Sequence, residues 1–233
     1  MQAFIHPTLS KLFDGIKGFQ QRFYGLHSTD MQHLVEHGQR PKVLLIACSD
    51  SRVDPALLTD AAPGDLFVLR NVANLVPPYC LEGKYDSARS AIEYAVRDLA
   101  VEHIVILGHA HCGGIQALLN TLSGQKPQRD FIGDWVSIAM DGCCRYAVDQ
   151  LGGAEADNSG LVREVDIDSL RTHQHLVERA SIRGSLDNLC SYPWIKERVD
   201  TGKLGLHGWW FDLETGDLWA TNEDNTAFLP VIE

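Results

Sequence analysis

Apolar residues recur at helical spacing near the start of the chain, at Leu9, Leu12, Phe13, Ile16 and Phe19, which predicts one or two amphipathic helices within residues 1–40. After Pro41 the pattern changes. Residues 43–48 (Val-Leu-Leu-Ile-Ala-Cys) form a short apolar run without alternation, as a strand covered on both faces does. Residues 66–70 and 103–108 are further strands of that kind. Between these two, Ala91, Ile92, Ala95, Val96 and Leu99 share one face of a helix predicted over residues 87–100. A further helix is predicted over residues 115–122, with the Gly113-Gly114 pair in its first turn. Residues 131–199 read as helical, with acidic and Gly-rich breaks near 152–160. Residues 204–211 and 218–221, joined through Glu214-Thr-Gly216-Asp, read as a C-terminal hairpin.

Strand–helix–strand order implies parallel strands joined by right-handed crossovers. The expected class is therefore α/β: a central, mostly parallel sheet flanked by helices, with amphipathic N-terminal helices and a C-terminal hairpin. Without a repeat, low-complexity tract or linker, residues 1–233 are expected to form a single domain, with 1–40 as a helical arm. This layout puts Cys48 at the end of one strand and His109 at the end of another. Ligands of open parallel sheets bind at the carboxyl ends of strands, so both residues are expected at one sheet edge.

The net charge of −11 argues against a nucleic-acid partner, which needs clustered Lys and Arg. No stretch approaches the roughly 20 apolar residues of a membrane span. Residues 1–24 are broken by His6, Pro7, Lys11, Asp14 and Lys17, so no secretory signal is expected and a cytoplasmic location is. In a reducing compartment, cysteine spacing points to metal or catalysis before disulfides. Six cysteines stand at 48, 80, 112, 143, 144 and 190. Cys143 and Cys144 are read as packing residues on a helix.

The chemistry concentrates in Cys48-Ser-Asp50-Ser-Arg52 and Gly108-His109-Ala-His111-Cys112-Gly113-Gly114. Two thiolates and an imidazole suit zinc, and three protein ligands leave a fourth tetrahedral position open, as in a catalytic site. Cys48, His109 and Cys112 are the expected ligands of one Zn2+ per chain. His109 is preferred over His111 because residues i and i+3 can converge on one ion, whereas adjacent residues diverge. Gly113 and Gly114 allow close backbone approach, and the helix N-terminus behind Cys112 favours its thiolate. Asp50 could be a fourth ligand or an outer base held by a bidentate Arg52. Two thiolates neutralise the ion, so its water should ionise less readily than at a three-histidine zinc, and activity should lean alkaline.

These motifs resemble the β-class carbonic anhydrases. The resemblance extends through Pro63-Gly-Asp-Leu-Phe-Val-Leu-Arg-Asn-Val-Ala-Asn-Leu-Val76, Ala91-Ile-Glu-Tyr-Ala-Val96 and Ile104-Val-Ile-Leu-Gly-His109. It runs from about Gln39 to Leu122, with an echo at Leu206-His-Gly-Trp209. It implies attack of zinc-bound hydroxide on CO2 to give bicarbonate, with Cys48, His109 and Cys112 as ligands and Asp50 with Arg52 as the catalytic dyad. It also implies substrate contacts at Gln39, Phe67, Val72, Tyr94 and Gly114, in a pocket completed across a homodimer or higher homo-oligomer. Family members closed by bicarbonate carry Trp, Gly and Tyr where this chain has Leu45, Ala47 and Phe211. Only Arg70 agrees with them, so the open form is expected.

Three functions compete: CO2 hydration, hydrolysis of carbonyl sulfide or carbon disulfide on the same scaffold, and a non-catalytic zinc-stabilised interaction module. His27, His33, His37 and His173 are candidate proton shuttles only because imidazole titrates near neutrality.

Overall fold

The computed structural model describes residues 6–25, 29–82, 86–125, 129–147 and 167–231. The chain divides into two compact units, Met1–Arg40 and Pro41–Glu233. Among its described residues, the first holds two α-helices, α1 (Ser10–Tyr24) and α2 (Thr29–His37). Leu12, Phe13, Ile16 and Phe19 of α1 are exposed, so its apolar stripe is uncovered within that unit.

The second unit is built on six strands: β1 (Val43–Cys48), β2 (Leu66–Asn71), β3 (His103–His109), β4 (Gly205–Phe211), β5 (Leu218–Thr221) and β6 (Phe228–Pro230), in the order β2-β1-β3-β4-β5-β6. The first four are mutually parallel, whereas β5 and β6 return antiparallel. The expected sheet and hairpin are both present. β6 was not legible: three residues ending in Pro230 carry no alternation, and proline suits only an edge strand.

Along β1 and β3 successive side chains point to opposite faces of the pleat. Leu44, Ile46, Ile104 and Ile106 join Ile92, Val96, Ile182, Leu186 and Ile195 in one core. Leu45, Ala47, Val105 and Leu107 form a second with Trp209 and Phe211. Burying both faces explains why these strands do not alternate in sequence. Each fully buried Leu or Ile contributes about 1.5–3 kcal/mol.

The helix expected over residues 87–100 is α4 (Ser87–Glu93), which widens into a π turn at Tyr94–Asp98. It stops because Ala100 adopts a left-handed backbone (φ 54°). Next come α5 (Gly113–Leu122), α6 (Ile132–Val136), α7 (Met140–Gly142), α8 (Ile167–Thr172), α9 (Gln174–Cys190) and α10 (Pro193–Asp200). The expected break near 152–160 lies outside the described residues. Cys143 is buried as expected, but Cys144 is exposed, which corrects its assignment to the core. Neighbours on a helix point in different directions, so the pair cannot share one buried face.

Helix α9 lies unusually close to the sheet. A Cβ at Gly108 would stand 2.7 Å from Ile182 Cδ1, and one at Gly208 2.8 Å from Ile182 Cγ2. It also meets α7 glycine against glycine: a Cβ at Gly184 would lie 2.8 Å from Gly142 Cα. Gly184→Ala is therefore expected to cost about 1–3 kcal/mol through overpacking against backbone. Gly133→Ala, in α6 with nothing within 4 Å, should be neutral or stabilising. Urea melts of the two variants check this, and equal midpoints would refute the close packing of α9.

Candidate metal centre

Cys48 ends β1, His109 ends β3, and Cys112 caps the N-terminus of α5. Because β1 and β3 are adjacent and parallel, their carboxyl ends bring the three side chains together. The ligand atoms of Cys48, His109 and Cys112 all lie within 4.8 Å of one another, and all three residues are buried. The two sulfurs are 4.0 Å apart.

His109 donates Nδ1–H to the Ala110 carbonyl at 2.8 Å, since a carbonyl can only accept. That places the lone pair on Nε2. Nε2 is buried without a hydrogen-bond partner, facing the two sulfurs. A buried acceptor left unpaired is costly, and a cation is what this donor set would satisfy. The residues therefore fit a zinc ion. The outer hydrogen bond at Nδ1 also fixes the ring, as in metal-bound histidines.

Backbone amides prepare the sulfurs. Asp50 and Ala73 direct N–H groups at Cys48, while Gly114 and Ile115 direct theirs at Cys112. Ala73 does so from a left-handed backbone (φ 66°), strain that the surrounding packing must hold. The two thiols share a proton: their mutual hydrogen bond pulls the Cys48 pKa down and pushes that of Cys112 up. For His109, burial disfavours the protonated form, but the Cys48 sulfur and the Ala110 carbonyl outweigh it and raise the pKa.

Asp50 is held by Arg52 through two parallel bonds, Nε to Oδ1 at 2.9 Å and Nη2 to Oδ2 at 2.7 Å. Oδ1 also accepts the Arg52 backbone N–H at 2.9 Å. The side-chain bonds from Arg52 hold the carboxyl well below the usual carboxylate range. Arg52 in turn donates to the His111 carbonyl at 3.2 Å, linking the two motif loops. Asp50 Oδ2 lies 3.9 Å from His109 Nε2, beside the ligand group rather than in it.

Arg70 secures the first loop from below. It donates to the carbonyls of Cys48 (3.0 Å), Asp50 (2.7 Å) and Val53 (3.4 Å) and pairs with Asp54, the N-cap of α3 (Pro55–Thr59), at 2.9 Å. Sequence reasoning took Arg70 only as a family marker and missed this role.

The other expected residues fall in separate places. Phe67 and Tyr94 pack together with ring centroids 5.8 Å apart. Val72 lies against Gly114, where an added Cβ would come within 2.8 Å of Val72 Cγ1 and of Ala73 Cβ. Val72 also borders a cavity of about 600 Å3 lined by Asn71, Ser87, Phe131, Ile132 and Trp135. Gln39 is exposed in the first unit, as are His33 and His37, which stack on each other. His173 is exposed just before α9, and His27 lies outside the described residues. His111 is exposed with a left-handed backbone (φ 54°), its Nε2 2.7 Å from Glu214 Oε1. Glu178, a buried carboxylate reaching the Cys112 turn, had no signal in the sequence beyond a charged residue inside an apolar helix face.

Comparison with known proteins agrees with this geometry. A family model described as carbonic anhydrase matches residues 43–218. The carbonic anhydrase of Synechococcus elongatus is 34% identical over 222 residues, covering 94% of this chain and 75% of that protein. Among solved structures, the β-carbonic anhydrase CcaA superposes with a TM-score of 0.77 at 31% identity, covering 98% of this chain and 94% of that one. A structure reported among two tetrameric β-carbonic anhydrases of Sordaria macrospora superposes with a TM-score of 0.71 at 26% identity, covering 92% and 97%.

Proposed function

The chain belongs to the β-class carbonic anhydrase family, and from that membership we propose that it catalyses the reversible hydration of CO2 to bicarbonate and a proton, with zinc held by Cys48, His109 and Cys112. The observation that carries this is the division of labour among the buried groups. Three soft donors converge with His109 Nε2 unpaired, while Asp50 stands 3.9 Å away, locked by Arg52. A purely structural zinc site would take a fourth protein ligand and would not need such a dyad.

Zinc bound there would supply the Lewis acidity that lowers the pKa of water and makes hydroxide available, at a more alkaline pH than beside three histidines. The protein does the rest. Asp50, acceptor-only while Arg52 keeps it ionised, would accept a hydrogen bond from an O–H held beside Cys48, His109 and Cys112 and so orient it. Gly114 lets the Cys112 turn pack directly against Val72 and Ala73, where an added Cβ would come within 2.8 Å of both, and apolar side chains at Phe67, Val72 and Tyr94 suit an uncharged gas.

Several observations support the open, unregulated type. Leu45, Ala47 and Phe211 fall in one apolar cluster, which offers an anion no hydrogen bond. Arg70 is already committed to Asp54 and three carbonyls. The uncovered stripe of α1 supports assembly with a second copy of the chain. Six free cysteines suit a reducing compartment such as the cytoplasm. Among the described residues no helix is long and apolar enough to cross a membrane.

Stopped-flow CO2 hydration on zinc-loaded protein, run with carbonyl sulfide as competitor, tests the reading. CO2 turnover that rises toward alkaline pH is expected. Negligible CO2 hydration alongside rapid sulfide release would overturn it in favour of the thio-substrate.

A further inference from the structure

Among the described residues, the reaction just described leaves one fully buried carboxylate unused. Glu178, on α9, is 2% exposed and makes three hydrogen bonds, all as acceptor. Its Oε1 takes the Cys112 backbone N–H at 3.0 Å and the Gln174 amide at 2.9 Å, and its Oε2 takes the Trp210 indole N–H at 3.1 Å. Gln174, one helical turn earlier, also donates to the Cys112 carbonyl at 3.2 Å. Both polar backbone groups of Cys112 are thus gripped by side chains four residues apart on one helix face. Arg179 packs over the same Trp210, its guanidinium carbon 4.2 Å from the ring centre, and fixes the indole that holds Oε2.

Burying a carboxylate is costly unless donors surround it. Three converging N–H groups meet that cost, and one of them belongs to a residue of the metal centre. A role confined to packing would be served better by an apolar side chain of similar volume.

We propose that Glu178 is a positioning residue of the metal centre: its carboxylate, with Gln174, clamps the Cys112 turn from behind so that Cys112 meets Cys48 and His109 before a metal arrives. This rests on the reading of Cys48, His109 and Cys112 as ligands. It assigns Glu178 no contact with substrate.

Glu178→Gln separates this role from bulk stability. The glutamine keeps one oxygen for Cys112, but its NH2 then faces the Trp210 N–H, donor against donor. Zinc affinity, measured by competition with a chromophoric chelator, is expected to fall about 10–100-fold, the usual effect of losing an outer-shell partner. The Co2+-substituted variant should show a weakened thiolate charge-transfer band. W210F, which leaves the Cys112 contact in place, should change zinc affinity less than E178Q does. The double variant E178Q/W210F removes the opposed donor and should bind zinc more tightly than E178Q alone, a coupling that general destabilisation does not produce. Should E178Q fail to fold, Gln174→Ala keeps the carboxylate and its bonds to Cys112 and Trp210 but loses the bonds to the Cys112 carbonyl and to Glu178 Oε1, with a smaller but measurable loss of affinity expected. Wild-type affinity and cobalt spectrum in folded E178Q, a double variant no better than E178Q, or an unaltered Q174A would each overturn the proposal. None of these measurements uses CO2, so a wild-type protein that binds zinc without hydrating CO2 would sink the functional reading and not this one.

Discussion

Asp50→Ala is expected to lower CO2 turnover by about 10²–10⁴-fold, the range for losing a positioned acid–base group, while zinc content and fold stay intact. The side chain is not in the ligand group, and its removal leaves Cys48, His109 and Cys112 with their own partners. Arg52→Ala should be as damaging for a different reason. Freed of its two parallel bonds, the carboxylate Oδ2 lies only 3.9 Å from His109 Nε2 and can swing onto the metal, closing the open position. The double variant should then be no worse than the worse single one, since both act on one group. Because Arg52 holds the Asp50 carboxyl below the ordinary range, Asp50 stays ionised at any pH where the protein works. An acid limb in the rate profile must come from elsewhere. Stopped-flow rates with metal analysis on the three variants decide the matter, and D50A with native turnover would remove Asp50 from the mechanism.

Zinc removal should abolish turnover, and its return should expel protons. In the metal-free protein the proton shared by Cys48 and Cys112 stays on the pair, because Cys112 titrates above and Cys48 below the ordinary thiol range. Two thiolate ligands require that proton to leave. His109, whose pKa is raised, gives up a further fraction. The sign follows: zinc affinity falls as pH falls, by about tenfold per pH unit for each proton displaced. Calorimetry of zinc binding in two buffers of unlike ionisation enthalpy measures the count. A titration releasing no protons would mean that the sulfurs do not both ligate. An ion that binds the folded chain in preference to the unfolded one stabilises it, so chelation should also lower the melting temperature, with up to about 2.7 kcal/mol at stake for free zinc at a hundred times its Kd.

Much of this was legible in the sequence, for physical reasons. A strand buried on both faces must be apolar throughout, so residues 43–48 and 103–108 announced themselves. The parallel crossover then dictated that their carboxyl ends meet, which joined Cys48 to His109 across sixty residues of chain. The spacing of His109 and Cys112 favoured a shared focus and left His111 outside, where the structure has it paired with Glu214. What could not be read depends on tertiary contact. Arg70 looks like any strand arginine until β2 lies beside β1 and three loop carbonyls come into reach. Glu178 is invisible for the same reason, since its partners come from α5 and β4. β6 is too short to carry a period, and the left-handed residues at Ala73 and Asn74 are forced by packing rather than by glycine.

The placement of β4 between β3 and β5 has a consequence for the order in which the molecule is assembled. His103 of β3 pairs with Gly205 of β4, a contact of high sequence separation, and parallel pairings of that kind form slowly. A chain emerging from synthesis presents Cys48, His109 and Cys112 early, together with the strands that carry them. The α9 side chains that grip Cys112, and the Trp210 that steadies them, follow only near the end. Because the core face of β1 and β3 is completed by Ile182, Leu186 and Ile195, the three ligand side chains leave the ribosome well before the helix that covers their strands and grips Cys112, and the metal centre can close only when the C-terminal part of the chain has docked.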